Sequence, residues 1–493
     1  MFNHLPRTAS AFVVFSSLMA ASSAHAAEGR ALLDKFLAQP DVAKNKISWG
    51  TLTEQSADSF ALTDVKIINE RDEEMNIKTV AVQGLRESGE SRVTFDTLAI
   101  SGISGTTKKG GTFSVTGIAA SAADFPVGIW KGGLTAEEKK QRVKLGSLSV
   151  SGTEVKDPKG GFTLAAIAMN GADIPLDWRY DPKQTFEGEP AAPMKLDIFS
   201  MSDFKASGDG NTVTIGSAAM KGANIPTSQD GDFNEWMQFV DSMSITGIGV
   251  SVGDTKVFST DTMTVTMDDP QADGTINSKS VVDGMVVNLL ALPDPKAKAA
   301  AQQLGYSEIR ASMTGDGTYN PQTGRMAANN FNIRLQDMFD LAMDYTLTGY
   351  TAEIAQKVAS MNQTMAQSVS PQQAFAAMIP ELSMIKLEGL KIALTDRSLT
   401  GKLLDMQAAQ MGTTGDQLAQ GAPMMIGLGM GGLGMPEFTE MVTQAVGKFL
   451  QNKGSLIVEA KPAEPVAIMD VVLKGQADPT VVPGMLNLKV SGQ

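Results

Sequence analysis

For chemistry the chain offers carboxylates, hydroxyls and thioethers, and little else. It contains no cysteine, and its only two histidines, His4 and His25, fall within the first 26 residues. Beyond residue 26, a Ser-His-Asp triad, a Cys-His pair, a thiolate or imidazole metal cage and His or Cys haem ligation are all closed to it. Carboxylates alone can hydrolyse glycosides, provided two of them flank the scissile bond. Glu73-Glu74 and Asp268-Asp269 are pairs in sequence only, and nothing in their spacing brings them across a cleft. The residues therefore predict a protein that is not an enzyme, with no catalytic, cofactor or metal residue to assign. A carboxylate-based hydrolase stays as the third reading.

Three motifs imitate sites. Gly427-x-Gly429-x-x-Gly432 matches the dinucleotide fingerprint, yet it lies in a Gly/Met/Leu run from Gly421 to Met435 with no preceding strand at βαβ spacing. The same run holds Gly427-x-x-x-Gly431, and at Ala422 to Met435 it is too short to span a bilayer. A buried helix is the first expectation there, ahead of a hinge or an apolar flap. Met424, Met425, Met430, Met435 and Met441 cluster nearby. Thioethers bind Cu(I), but pliable packing is the simpler role without His or Cys beside them. Asp230-Gly-Asp232-Phe-Asn234 resembles the start of a calcium loop, with Glu235 where such a loop needs glycine and Asp241 at its last position. It reads better as a solvated helix start.

The N-terminus and the charge set the compartment. Arg7, the apolar stretch Ala11 to Ala21 and Ala24-His25-Ala26 form the three regions of a cleavable secretory signal over residues 1–26. With that segment removed, no transmembrane anchor is expected. Net charge is −13 at pH 7, which disfavours nucleic acid and anionic headgroups because phosphate contacts need clustered Lys and Arg. An acidic exported chain without cysteine fits the periplasm, with release from the cell as the alternative. It must then build a core that manages without disulfides.

The elements that would position any site come from a repeat of about fifty residues. Its first element reads apolar-x-apolar-x-x-apolar-x-apolar: Val93, Phe95, Leu98, Ile100; then Val143, Leu145, Leu148, Val150; then Met194, Leu196, Phe199, Met201. A second element repeats the rhythm: Phe113, Val115, Ile118, Ala120; Phe162, Leu164, Ile167, Met169; Val213, Ile215, Ala218, Met220. A proline follows each one, at Pro126, Pro175 and Pro226, after the triplets Ala123-Asp124-Phe125, Ala172-Asp173-Ile174 and Ala223-Asn224-Ile225. Period two marks a strand with one buried face. The additional residue between apolar pairs calls for a β-bulge to keep both pairs on that face. Each unit is thus a bulged hairpin ended by proline. Weaker copies occur at Ile47, Trp49, Leu52, at Val240, Met243, Ile245 with Pro270, and at Ile385, Leu387, Leu390, Ile392. The spacers carry Trp130, Trp178 and Trp236, expected as edge plugs of the core rather than a ligand-stacking row.

The predicted fold is α+β and predominantly antiparallel β: tandem bulged hairpins forming a long curved sheet over residues 27–290, completed or covered by an α+β region over 291–493. In that region helices are expected at Pro295 to Gln303, Ala352 to Gln367, Pro371 to Met378, Ser398 to Met411 and Pro436 to Lys453, with Gly412 and Gly454 as stops. Strands are expected around Ile309–Met313, Met326–Leu335, Leu456–Ala460, Val466–Leu473 and Leu486–Val490.

The tandem hairpins with Ser/Thr-aliphatic alternation resemble the AsmA-like repeating β-groove proteins of the Gram-negative envelope, over roughly residues 40 to 350. Gly317-Thr318-Tyr319-Asn320-Pro321-Gln322-Thr323-Gly324-Arg325-Met326 is also similar to stretches in uncharacterised proteobacterial envelope proteins. The resemblance implies lipid held in an apolar groove, while the cleavable N-terminus departs from the membrane anchor that many members carry. The expected function is non-catalytic binding of lipid or another apolar molecule, without a cofactor. Its lining would be Phe95, Leu98, Phe113, Val115, Leu145, Leu148, Phe162, Leu164, Leu196 and Phe199. The second reading is a scaffold of the envelope that meets protein partners and uses the same residues as a closed core.

Overall fold

The computed structural model describes residues 45–69, 73–88, 92–106, 110–126, 141–176, 194–225, 240–292, 294–351, 353–354, 379–380, 382–432 and 434–493. The chain divides into two compact units, Met1–Gln229 with Trp236–Ile245 and Asp230–Glu235 with Thr246–Gln493. The signal-like segment, the calcium-like stretch up to residue 239, the three spacer tryptophans and nearly all of the helices expected between 352 and 378 lie outside the described residues.

The first unit is antiparallel sheet. Its strands are β1 (Lys46–Ser48), β2 (Thr51–Ser56), β3 (Ser59–Ile68), β4 (Glu74–Gln83), β5 (Arg86–Ser88), β6 (Arg92–Thr106), β7 (Thr112–Pro126), β8 (Arg142–Asp157), β9 (Gly160–Pro175), β10 (Met194–Gly208) and β11 (Asn211–Ile225). β1 and β2 both pair with β3. Pairing then runs β3–β4–β6 and onward from β6 to β11, while β5 also pairs with β6. The three repeats are the hairpins β6–β7, β8–β9 and β10–β11. Pro126 and Pro175 are the last residues of β7 and β9, where a missing N–H costs no ladder bond.

The extra residue in the apolar rhythm is absorbed, with Val93, Phe95, Leu98 and Ile100 all buried, but by a bend that keeps the register instead of the expected β-bulge. The register does not slip, because the neighbouring strand carries its own extra residue at the same level. Phe95 lies opposite Ala123 and Thr97 opposite Ser121, with Asp96 and Ala122 between them. Each long strand bends at a left-handed residue, and the residues form two rows. Ala122 (φ 46°), Gly171 (60°) and Gly222 (64°) mark β7, β9 and β11. Gly102 (63°), Gly152 (58°) and Asp203 (49°) mark β6, β8 and β10.

An ion pair ties the ends of two repeats. Arg92 Nε donates to Asp124 Oδ1 at 2.6 Å, and its Nη2 reaches the Arg142 carbonyl at 2.9 Å. One repeat later Arg142 Nε donates to Asp173 Oδ1 at 2.6 Å. Asn224 stands at the equivalent place in the third repeat. This explains the Asp124 and Asp173 triplets: each carboxylate receives a charge-assisted bond from the strand it pairs with. Arg142→Gln is expected to lower stability by about 1–2 kcal/mol, read as a drop in the urea midpoint. An unchanged midpoint would make the bond a surface ornament.

β12 (Ser242–Val252) leads into the second unit, which continues with β13 (Thr255–Met267), β14 (Ile276–Asn288), α1 (Pro295–Gln303), β15 (Glu308–Asn320), β16 (Arg325–Leu335), β17 (Phe339–Thr348) and β18 (Lys386–Asp396). Then come α2 (Leu399–Met411), α3 (Gly415–Gly431), α4 (Pro436–Asn452), β19 (Ser455–Ala460), β20 (Val466–Ala467), α5 (Ile468–Ala477), α6 (Val481–Met485) and β21 (Leu488–Gly492). Consecutive strands from β13 to β19 pair antiparallel. β20 pairs with β18 and β21 with β19. α4 packs on β19 and β21, and it buries Ala445 and Phe449 on one face and Gly447 against Pro423 of α3. Gly492 admits this approach, since a Cβ there would overlap the Ala445 backbone. The β15–β16 turn is residues 321–324, directly after Tyr319 and Asn320. Buried Asn320 organises it, accepting from the Gln322 and Thr323 N–H groups and donating to the Asp273 carbonyl.

Three local expectations are corrected. Val466–Leu473 is a two-residue strand followed by helix α5, which buries Met469. A short unbroken apolar run does not separate strand from buried helix by periodicity. α4 stops at a left-handed Lys453 (φ 54°) rather than at Gly454, the Lys453 N–H bonding the Phe449 carbonyl. The expected strand at Leu486–Val490 starts later, at Leu488, because α6 occupies Val481–Met485.

Candidate functional site

The ten proposed lining residues fall on one face of the first unit, in lines that cross the strands. Leu98, Ala120, Leu148, Met169, Phe199 and Met220 are successive cross-strand partners from β6 to β11. Phe95, Ala123, Leu145 and Ala172 form a second line, which Leu196 and Ala223 continue. Phe113, Val155, Phe162, Ala206 and Val213 form a third. Val115, Thr153 and Leu164 form a fourth. Large and small residues alternate along the second line, so neighbouring side chains interdigitate.

Burial changes along this face. At the β3–β7 end it is a dry core, with Phe60 and Leu62 only 2% and 1% exposed. Phe95 and Leu98 belong to it, and Phe95 meets Phe125 edge to face at 6.1 Å between centroids. Phe113, Val115, Leu145 and Leu148 are partly buried and pack against it. Farther on, Leu164 and Leu196 are buried, Phe162 and Phe199 are half-buried, and Val213 is 38% exposed. The solvent face carries hydroxyl ladders, with Thr79 and Ser101 at 2.5 Å and Ser121 and Ser147 at 2.7 Å.

The carboxylate candidates do not converge. Glu73 accepts from Asn69, Glu74 pairs with Lys66 at 2.8 Å, and Asp268 accepts from Asn277. Hydrogen bonds to Lys66 and Asn76 hold the Glu74 carboxyl below its ordinary range. The Ser56 and Ser59 hydroxyls do the same for Asp58. A general acid needs the opposite shift. Among the described residues no group of three or more His, Cys, Asp or Glu side chains is arranged to hold a metal ion.

In the second unit, Gly427, Gly429 and Gly432 lie in or at the end of α3, not in a strand-to-helix loop, so no phosphate cradle forms. The expected helix is present, but it is not buried: Met424 is 73% and Leu428 77% exposed, and Met425 is exposed beside them. The sequence run is apolar all round, and only packing decides which part is covered. Ala419 is buried, whereas the glycine-rich C-terminal half presents an apolar face to solvent. No helix among the described residues is long and apolar enough to cross a membrane.

A family model described only as an uncharacterized protein matches residues 332–493. That region starts within β16 and takes in α2 to α6. No curated protein matches the chain.

Proposed function

We propose that this is a non-catalytic, exported protein of the cell envelope that binds lipid or another apolar molecule along the sheet of its first unit. The AsmA-like pattern of the repeats, the signal-like N-terminus and a periplasmic location belong to this reading. The observation that carries it is the graded burial of one apolar face, dry at β3–β7 and opening at Phe162, Phe199 and Val213 between buried Leu164 and Leu196 on β9 to β11. A half-open apolar face in water gains from covering by apolar ligand surface, by roughly 25 cal/mol per Å². A closed scaffold core would have no such vacancy to fill.

The test is native mass spectrometry with organic extraction, on protein purified from the periplasm without detergent. A co-purifying lipid near one-to-one is the expected result. A clean apoprotein mass that also takes up no lipid on incubation would favour the scaffold reading. Leu148→Asp separates the two further. On a ligand-binding face it abolishes uptake and leaves a folded protein. In a closed core it unfolds the first unit with or without lipid.

A further inference from the structure

The hairpin formed by α3 and α4 holds a cleft of about 400 Å³, a volume within the range of small-molecule sites. Gly427 and Gly431 form one wall, Thr439, Glu440, Thr443 and Gln444 the other, and Gly434, Met435 and Pro436 lie at the turn. The two helices are tight at the far end, where a Cβ on Gly447 would come within 2.7 Å of Pro423 Cγ. Toward the turn they diverge. A Cβ on Gly427 would meet nothing nearer than Thr443 Oγ1 at 3.9 Å, and one on Gly431 would meet nothing within 4 Å. Small residues facing each other allow helices to close up, and here that space stays open.

Two observations specify an occupant. The hydroxyl oxygens of Thr439 and Thr443 are buried and have no hydrogen-bond partner. A helical threonine can bond the carbonyl four residues back; neither hydroxyl does so here, both residues line the cleft, and Thr443 Oγ1 faces Gly427 across it. They call for an acceptor such as an ester carbonyl. Glu440, exposed at the rim, accepts hydrogen bonds and repels anions, so it suits a hydroxylated head and opposes a free carboxylate. Met424, one turn before Gly427, and Leu428, next to it, add exposed apolar surface on α3.

We propose that the α3–α4 cleft binds the alkyl chain and ester of a neutral, hydroxylated single-chain amphiphile of the monoacylglycerol class. The inference shares the lipid-binding reading but does not use the sheet face. Its test is titration of the full exported chain with glycerol monododecanoate and with dodecanoate, by calorimetry, alongside thermal melting. Wild type is expected to bind the monoester in preference to the acid. The double variant Gly427→Leu/Gly431→Leu fills the cleft and should weaken the monoester by about tenfold or more. Its melting temperature should not fall, because leucine is the better helix former. Glu440→Gln should let dodecanoate bind.

Unchanged monoester binding by the double variant, or equal binding of acid and monoester by wild type, overturns the cleft. Leu148→Asp run in parallel separates the two sites. Loss in that variant alone overturns the cleft and leaves the sheet face standing. Loss in the glycine variant alone supports the cleft and counts against the sheet face. No binding by wild type overturns both.

Discussion

Phe60→Ala should cost the first unit about 3–5 kcal/mol of stability, the range for removing a large aromatic from a dry core. Phe162→Ala, on the same face, should cost only about 1 kcal/mol, since a half-exposed side chain has less apolar burial to lose. The contrast follows from Phe60 being 2% exposed within the β3–β7 cluster and Phe162 half-buried on β9. Phe162 also lies 6.3 Å from the Phe204 ring, so some local contact goes with it. Urea unfolding followed by tryptophan fluorescence reads the unit selectively. Trp49 packs against the core cluster of this unit, and the chain has no tryptophan after residue 236. A bound lipid should raise the midpoint of wild type more than that of Phe162→Ala, by mass action on the native state. Equal losses in the two variants, with no response to lipid, would mean that the face is closed at β9 as it is at β3, and the ligand-binding proposal would fall.

The second large effect concerns the rows of left-handed residues. Gly102→Val is expected to destabilise the first unit by about 1–3 kcal/mol, because a β-branched residue at φ 63° is held in a strained region. A Cβ there would also press on Lys78 Cβ of the adjacent strand at 2.7 Å. The opposite substitution in the other row, Ala122→Gly, should stabilise by about 1 kcal/mol, since Ala122 holds φ 46° with a Cβ to accommodate. Opposite signs from two residues in equivalent bends are the signature of backbone control, and the urea midpoints of the two variants read them directly. A loss in both would assign the bends to side-chain packing instead.

The paired bends show where reading the chain stopped short. The step from Phe95 to Leu98 was legible as an extra residue. The second step, from Ile100 to Ile103, has the same spacing and puts another bend in the same strand, and pairing sets it level with the Val115 to Ile118 step of β7. A lone extra residue is a bulge with a register shift. The same residue matched by one on the next strand is a bend with the register kept, and this distinction lives in the pairing. Arg92 and Asp124 behave similarly: 32 positions apart in sequence, they become adjacent only through β6–β7 pairing.

The candidate surfaces divide in the same manner. Alternation assigned Phe95, Leu148, Phe162 and Phe199 to one face without structural help, because side-chain direction along a strand is a local property of the backbone. Helix boundaries at Pro295–Gln303 and Leu399–Met411 were equally local, fixed by proline at the start of one and by left-handed Gly412 at the end of the other. Whether an apolar residue is dry, half-open or exposed depends on what distant segments lay over it. Composition marked Gly421 to Met435 as a buried helix, and tertiary packing left Met424 and Leu428 in solvent with a cleft beside Gly431. The sequence by itself determined the repeat, the facing of its strands and the want of histidine and cysteine chemistry after residue 26. Only the tertiary structure decided where the apolar face closes and where it stays open, because burial is a sum over contacts that no local stretch of chain contains.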